Sequence, residues 1–252
     1  MTKKALVTGA SRGIGAAIAR KLAKRGYEVW LAARSAQALE ATQKEIEAAG
    51  GRAHTLVLDV SRPEETEAKV AELDREVGGL DMVVANAGIG GSQVPAAQQT
   101  FAGARATLET NVMGALATLL PVIPGMVERK SGHIAGVTSL AGEIPLPAAV
   151  DYGTSKAALS FFLASAAADL VSRGVLVTDI RPGFVRTDLT AKNRFPMPFL
   201  VELDDAAELI DRGLASGKRV IRFPAPLTTA ISAGRMMPAG LRDRLVNSKR
   251  PI

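Results

Sequence analysis

Tyr152 and Lys156 stand four residues apart in Tyr-Gly-Thr-Ser-Lys, at the head of a segment with helical character. On a helix such positions share a face, so a phenol and an ammonium point the same way. A phenol with a pKa of about 10 is a poor acid–base group at neutral pH. A nearby ammonium favours the phenolate and brings that pKa towards the working range, so the pair suits proton transfer to or from an oxygen. Ser139, in the turn after the apolar run 133–137, offers a hydroxyl that can donate to an oxygen on which charge develops. Asn111 falls inside a long helical pattern, where its short amide competes with the backbone. A hydrogen-bond or water relay to Lys156 would account for it. Taken singly, each has a plainer reading: a snorkelling pair, a turn residue, a local polar kink.

A second group sits near the N-terminus. The first apolar run ends in Thr8-Gly9-Ala10-Ser11-Arg12-Gly13-Ile14-Gly15 and passes into an apolar-faced helical segment. Glycines between a strand and a helix allow tight turns and close backbone approach, and the helix N-terminus offers free N–H groups and a positive dipole end. That context suits the pyrophosphate of a dinucleotide. The second apolar run ends in Ala32-Ala33-Arg34-Ser35, with no acid to accept from a ribose 2′-hydroxyl. Arg34 and Arg12 instead offer two guanidinium groups, which match the oxygens of a 2′-phosphate and point to NADPH rather than NADH. Asp59, with Val60 after it, closes the third run, and Asn86-Ala87-Gly88 closes the fourth. Ligands bind at such carboxyl ends in open α/β sheets, although a cap or turn role is the alternative.

These residues need a frame. Strand-length apolar runs at 5–8, 28–32, 53–58, 82–85, 133–137, 176–180 and 220–223 alternate with helical patterns at 14–25, 36–49, 63–77, 101–129, 152–173 and 203–215. The alternation predicts repeated βαβ units: one α/β domain over residues 1–252, with a doubly wound, Rossmann-like parallel sheet of about seven strands and helices on both faces. Pro121 and Pro124 inside the fourth helical pattern, 101–129, predict a bend there. Two stretches break the alternation, a substrate-side segment at about 182–215 that opens with Pro182–Leu200, and the tail at about 224–252.

Composition narrows the classes. There is no cysteine, and the two histidines, His54 and His133, are far apart, so no disulfide, thiolate nucleophile or metal centre is expected. The short basic and apolar start does not resemble a signal peptide, and no uninterrupted apolar stretch approaches the ~20 residues that span a bilayer. A cytoplasmic location is the default expectation. Net charge is +6, and residues 217–252 carry eight Lys or Arg against the single acid Asp243. The basicity therefore belongs to the tail, with three uses: solvated surface, attraction to an anionic substrate or acyl carrier, or peripheral attachment to an acidic membrane. Nucleic acid is not expected as a partner, since the tail has no interleaved aromatics.

Taken together, Thr8-Gly9-x-x-x-Gly13-Ile14-Gly15, Asp59, Asn86-Ala87-Gly88, Asn111, Ser139, Tyr152-x-x-x-Lys156 and Pro182-Gly183 occur in an order that resembles the short-chain dehydrogenase/reductase family. The resemblance covers roughly residues 4–190. It implies that Tyr152 is the acid–base for hydride transfer between nicotinamide and a carbonyl or alcohol. It also implies that Lys156 holds the ribose and lowers the phenol, Ser139 positions the substrate oxygen, and Asn111 supports a relay water. By the same resemblance, Asp59 and Val60 bracket the adenine, and Asn86 and Gly88 lie along the adjoining ribose and backbone. Pro182, Gly183 and Thr187 meet the nicotinamide end, with Val185 on the carboxamide.

Many members of that family finish in an Asp-Gly-Gly-like segment that helps build a tetramer, whereas this chain runs through Arg222-Phe223-Pro224 into a basic tail with helical patterns at 228–237 and 241–246. A small, apolar run at 157–168 suggests helix packing in a homodimer instead. Phe195–Leu200 suggests an apolar pocket, and hence an apolar ketone or 3-oxoacyl substrate. The rivals are a reductase of imines or activated alkenes, and a silent NADP-binding sensor of the same fold.

Overall fold

The strands form where the apolar runs predict them: β1 (Lys4–Thr8), β2 (Glu28–Ala33), β3 (Arg52–Val57), β4 (Met82–Ala85), β5 (Gly132–Val137), β6 (Val175–Pro182) and β7 (Val220–Phe223). In a computed structural model of the chain they make one sheet in the order β3-β2-β1-β4-β5-β6-β7, with every neighbouring pair parallel. The structure describes residues 2–193, 196–241 and 244. Phe195 and most of the 241–246 pattern, with Arg242, Asp243, Lys249 and Arg250, lie outside the described residues.

The chain runs outward from β1 to β3, then returns to the centre and runs out the other way from β4. Adjacent β1 and β4 therefore feed helices on opposite sides, and their carboxyl ends diverge into a crevice. Successive residues of β1 serve both faces. Ala5 and Val7 belong to the core under α1 (Gly13–Lys24), α2 (Ala36–Ala48) and α8 (Leu203–Ala215), with Ile18, Leu39 and Ile210. Leu6 packs on the other side with Val70 of α3 (Pro63–Glu76), Leu119 and Leu159. Burial on both faces explains why β1 and β4 read as continuous apolar runs.

Local signals set several helix starts. The Ser35 hydroxyl accepts from Ala38 N at 3.3 Å and caps α2. Pro63 occupies the first turn of α3, followed by Glu64 and Glu65 near the positive end of the helix dipole.

The long helical pattern becomes one run from Phe101 to Glu128 with two changes of pitch. It comprises α4 (Phe101–Leu108), a π turn (Glu109–Met113), α5 (Gly114–Leu119), a 3₁₀ turn (Leu120–Val122) and α6 (Ile123–Glu128). The 3₁₀ turn sits at Pro121, where a bend was expected; the π turn sits on Asn111, where none was. An 18-residue window of the run has a mean hydropathy of 1.5, and the run is long and apolar enough to cross a membrane by length and composition. Its polar residues break the apolar stretch, so the sequence shows one helical pattern at 101–129 but no uninterrupted apolar run of spanning length. In the fold it packs on α3, β4 and α7 (Val150–Leu170). Helix α7 begins at Val150, so Tyr152 lies inside its first turn rather than opening it. After β7, the tail folds into α9 (Ala225–Met236), starting three residues before the expected 228.

Candidate active site

The carboxyl ends of β1 and β4 open onto a cleft of about 450 Å³. Its phosphate side is welded to the sheet. Thr8 Oγ1 accepts from Asn86 N at 3.1 Å and Ala87 N at 3.2 Å, while Asn86 Nδ2 donates to Thr8 O at 2.9 Å and Gly9 O at 3.3 Å. Gly9 has φ +67°, and a Cβ on Gly15 would lie 2.3 Å from Gly9 O. Only glycine permits that backbone contact. Helix α1 starts behind Arg12 with no side-chain cap and no acid in its first turn, leaving its N–H groups and dipole to face the cleft. Asn86 itself lines the cleft, with its Nδ2 committed to carbonyls of the loop.

Gly9, Ser11, Arg12, Gly13 and Ile14 line this side, with Arg34, Asp59 and Val60 beyond them. Arg34 is exposed at the end of β2. Asp59 accepts from Ser61 N at 3.1 Å and Ser61 Oγ at 2.8 Å, so it also closes its own turn. Burial pushes its carboxyl up, but those bonds and the charges of Arg34 and Arg62 outweigh burial and hold it below the ordinary range. Arg12 reaches across the cleft to Asp188 Oδ2 at 3.3 Å, a pairing between distant parts of the chain that no local spacing signals. Of the proposed cofactor residues only Gly15, inside α1, does not line the cleft.

At the other end Ser139, Tyr152, Lys156, Pro182, Gly183, Val185 and Thr187 converge with Ala87 and Gly88. Lys156 is buried, donates to Val137 O at 2.8 Å, and places Nζ 5.8 Å from the centre of the Tyr152 ring. Burial drives its ammonium down to about 8, against the opposing charge of Asp179. Burial likewise pushes the Tyr152 phenol up, opposed by hydrogen bonding from Ser139. The net rise departs from the expected lowering, because desolvation outweighs the favourable neighbour. Ser139 Oγ also accepts from Ala141 N at 3.1 Å, so the hydroxyl caps the short turn that follows it.

Asn111 does not reach the cleft. It is fully buried, its Oδ1 accepts from Ile89 N at 2.8 Å, and its Nδ2 donates to Ile89 O at 2.9 Å and Ser155 Oγ at 3.0 Å. A relay through position 111 must therefore use its backbone in the π turn, a distortion that recurs at functional sites.

Three buried acids escaped the sequence reading. Asp151 holds the loop after β4 against α7 through Ser92 and Thr107. Asp179 accepts from Thr138 Oγ1 and Ser160 Oγ, each at 2.6 Å, and from Arg181 Nε at 2.7 Å. Glu143, four residues after Ser139, meets Arg181 Nη1 at 3.1 Å, Arg222 Nη2 at 2.6 Å and Arg235 Nη1 at 4.0 Å. Arg222 also donates to Ser232 Oγ of α9 at 3.2 Å. Leu227 packs over Gly183, and Ile144 over Gly234, so α9 packs behind Gly183, which lines the cleft. Arg219 donates to Ala164 O at 3.0 Å. Three of the basic tail's residues are thus engaged inside the molecule. The only sequence signals were an acid beside Tyr152 and isolated acids amid apolar runs.

The fold and cleft define a doubly wound dinucleotide-type protein. The chain belongs to the short chain dehydrogenase family, whose model matches residues 3–197. An uncharacterized oxidoreductase of Myxococcus xanthus is 46% identical over 241 residues, covering 96% of this chain and 95% of that protein. The 3-oxoacyl-[acyl-carrier-protein] reductase FabG of Staphylococcus aureus is 36% identical over 193 residues, covering 75% of this chain and 77% of its own. Among solved structures, a short-chain dehydrogenase from Sphingobium yanoikuyae in complex with NADPH superposes with a TM-score of 0.83 at 26% identity, covering 98% of this chain and 96% of that one.

Proposed function

We propose that the chain is an NADPH-dependent reductase of an apolar ketone or 3-oxoacyl thioester, with Tyr152 as the proton donor. The observation that carries the reading is the convergence of Tyr152, Lys156 and Ser139 at one end of a cleft whose other end is an uncapped helix N-terminus beside Arg34. The cleft suits NADPH: glycine-loop N–H groups face a pyrophosphate, and Arg34 at the lip is placed for a 2′-phosphate. Bound there, NADPH supplies the hydride.

The residues supply the rest. Ser139 donates to the carbonyl oxygen as negative charge builds on it. Burial keeps the Tyr152 phenol protonated at neutral pH, which is the form that reduction needs, and the phenol proton passes to the same oxygen. Lys156, still mostly charged at neutral pH, lies close enough to stabilise the phenolate left behind. The structure of the S. yanoikuyae enzyme with NADPH and the likeness to a 3-oxoacyl reductase support this reading.

The test is NADPH consumption against aldehydes, ketones, 3-oxoacyl thioesters and imines. We expect ketones or 3-oxoacyl thioesters to be reduced, with Tyr152→Phe slower by about two to four orders of magnitude and still able to bind NADPH. Retained turnover in Tyr152→Phe would overturn the assignment, and binding without turnover on any member would favour the sensor. The rate of reduction should also fall as pH rises through about 8, where Lys156 loses its proton.

Assembly as a homodimer belongs to the same reading. Phe161 of α7 is 77% exposed and Phe101 of α4 is 83% exposed, an uncovered apolar surface of the kind that a second copy covers. Light scattering on the wild type and on Phe161→Glu tests it, with the variant expected to be monomeric.

A further inference from the structure

Asp151 is a buried carboxylate, 4% exposed, in the first turn of α7, and among the described residues no cation pairs with it. Isolated buried charge is costly. Here hydrogen bonds stand in for a counter-ion. Asp151 Oδ2 accepts from Ser92 N at 2.8 Å, Ser92 Oγ at 3.0 Å and Thr107 Oγ1 at 3.0 Å, and Oδ1 accepts from Tyr152 N at 2.8 Å. The N-terminal turn of α7 adds a favourable dipole.

The chemistry of these donors requires a carboxylate. Each oxygen receives one backbone N–H, and a backbone N–H cannot reverse its role. An asparagine at 151 has one acceptor oxygen and would turn an amide N–H₂ on the other donor. The network reaches one residue further. Gln99 Nε2 is buried without a partner, while Gln99 Oε1 lies 2.8 Å from Ser92 Oγ, whose single proton faces two acceptors. With the amide turned over, Nε2 donates to Ser92 Oγ and the hydroxyl proton goes to Asp151.

Ser92 ends the stretch 88–92, which carries Gly88 and Ile89 along the cleft beside Tyr152. Asn111 grips this stretch at Ile89 through both N–H and C=O, and Asp151 grips it at Ser92. One carboxylate therefore joins the cleft wall to the backbone of the reacting tyrosine. We propose that Asp151 is a positioning residue, fixing residues 88–92 at a set distance from the Tyr152 phenol. The inference rests on the reductase reading above.

The test is steady-state kinetics of the full chain with NADPH and acetoacetyl-CoA, or with whichever carbonyl of the panel the wild type reduces fastest. NADPH binding by fluorescence and amide hydrogen exchange over residues 88–93 accompany it. Asp151→Asn should lower kcat by about 10- to 100-fold, the scale of a small misplacement of reacting groups. NADPH affinity should stay within about twofold, and exchange at Ser92 should speed up. Thr107→Val, which removes one donor at nearly constant volume, should lower kcat a few-fold with the same unchanged NADPH affinity. If Asp151→Asn does not fold, Thr107→Val carries the test. Wild-type kcat in the variant tested overturns the proposal, and so does a loss of NADPH binding in proportion to kcat, which would mark a purely structural residue. Tyr152→Phe in the same assay separates the two readings, since activity there ends the reductase reading itself.

Discussion

The two ends of the cleft are built by different means. The phosphate end is made of backbone: Gly9 and Gly15 in close contact, α1 uncapped, and Asn86 and Thr8 holding the loop through carbonyls and N–H groups. The substrate end is backed from behind by charge: Glu143 among Arg181, Arg222 and the more exposed Arg235, with Asp179 and Asp151 buried in the same half of the molecule. A backbone cradle depends on a fixed local spacing of glycines. Buried ion clusters depend on partners brought together from distant parts of the chain, so they can differ between proteins that share the cradle.

The contrast can be tested from the charged end first. Glu143→Gln takes from Arg222 its carboxylate and from Arg181 one of its two, Asp179 remaining, and removing one partner of a buried pair costs about 3–5 kcal/mol. Denaturant unfolding should show that loss, with NADPH affinity in the surviving folded protein unchanged. Equal loss of NADPH binding would mean that the two ends are not separable.

His133 offers a measure of the sheet common to both ends. It is buried on β5 beside Thr178, and burial pushes it down to about 4. Between pH 6.5 and about 4 the unfolded chain binds a proton that the folded one refuses, so stability falls as pH falls, by about 3 kcal/mol over the window. Unfolding at pH 7 and pH 4.5 should show a smaller difference in His133→Asn than in the wild type.

At the phosphate end, Arg34→Asp should cut the preference for NADPH over NADH in kcat/KM by about 10- to 100-fold, the scale of a charge-assisted hydrogen bond. An unchanged ratio would remove Arg34 from the cofactor site. The smallest effect is expected at the exposed pair Arg12–Asp188, with each side chain 68% exposed. Asp188→Asn should change stability by less than about 1 kcal/mol. It should also tighten NADPH binding, because it frees Arg12 and removes a negative charge from a phosphate site.

What was legible in the sequence follows the same division. The seven strands, the glycine turn and the shared face of Tyr152 and Lys156 depend on local spacing, and local spacing is visible in a chain. Asn111 announced itself as an odd helix interior, but not its grip on Ile89, 22 residues away, nor the π turn around it. The sign of the tyrosine shift was misread because the ammonium lies next to it in the pattern, whereas the desolvation comes from the whole fold. The tail was summed as free positive charge, while the carboxylate that engages Arg222 lies 79 residues earlier. Asp151 is not singled out at all, since nothing in its neighbourhood names Ser92 or Thr107.

The carboxylate of Glu143 ties together segments from β6, β7 and α9, and this bears on how such a chain can diverge. A helix exchanged for α9 that brought no arginine would take Arg235 and Ser232 from the cluster but leave the acid its two closer partners, Arg181 and Arg222. Relatives should therefore keep or lose the acid at 143 together with the arginines at 181 and 222, while position 235 varies with the helix that carries it. The ionic backing behind one end of the cleft would be inherited as a unit, while the phosphate cradle at the other end stayed as it was.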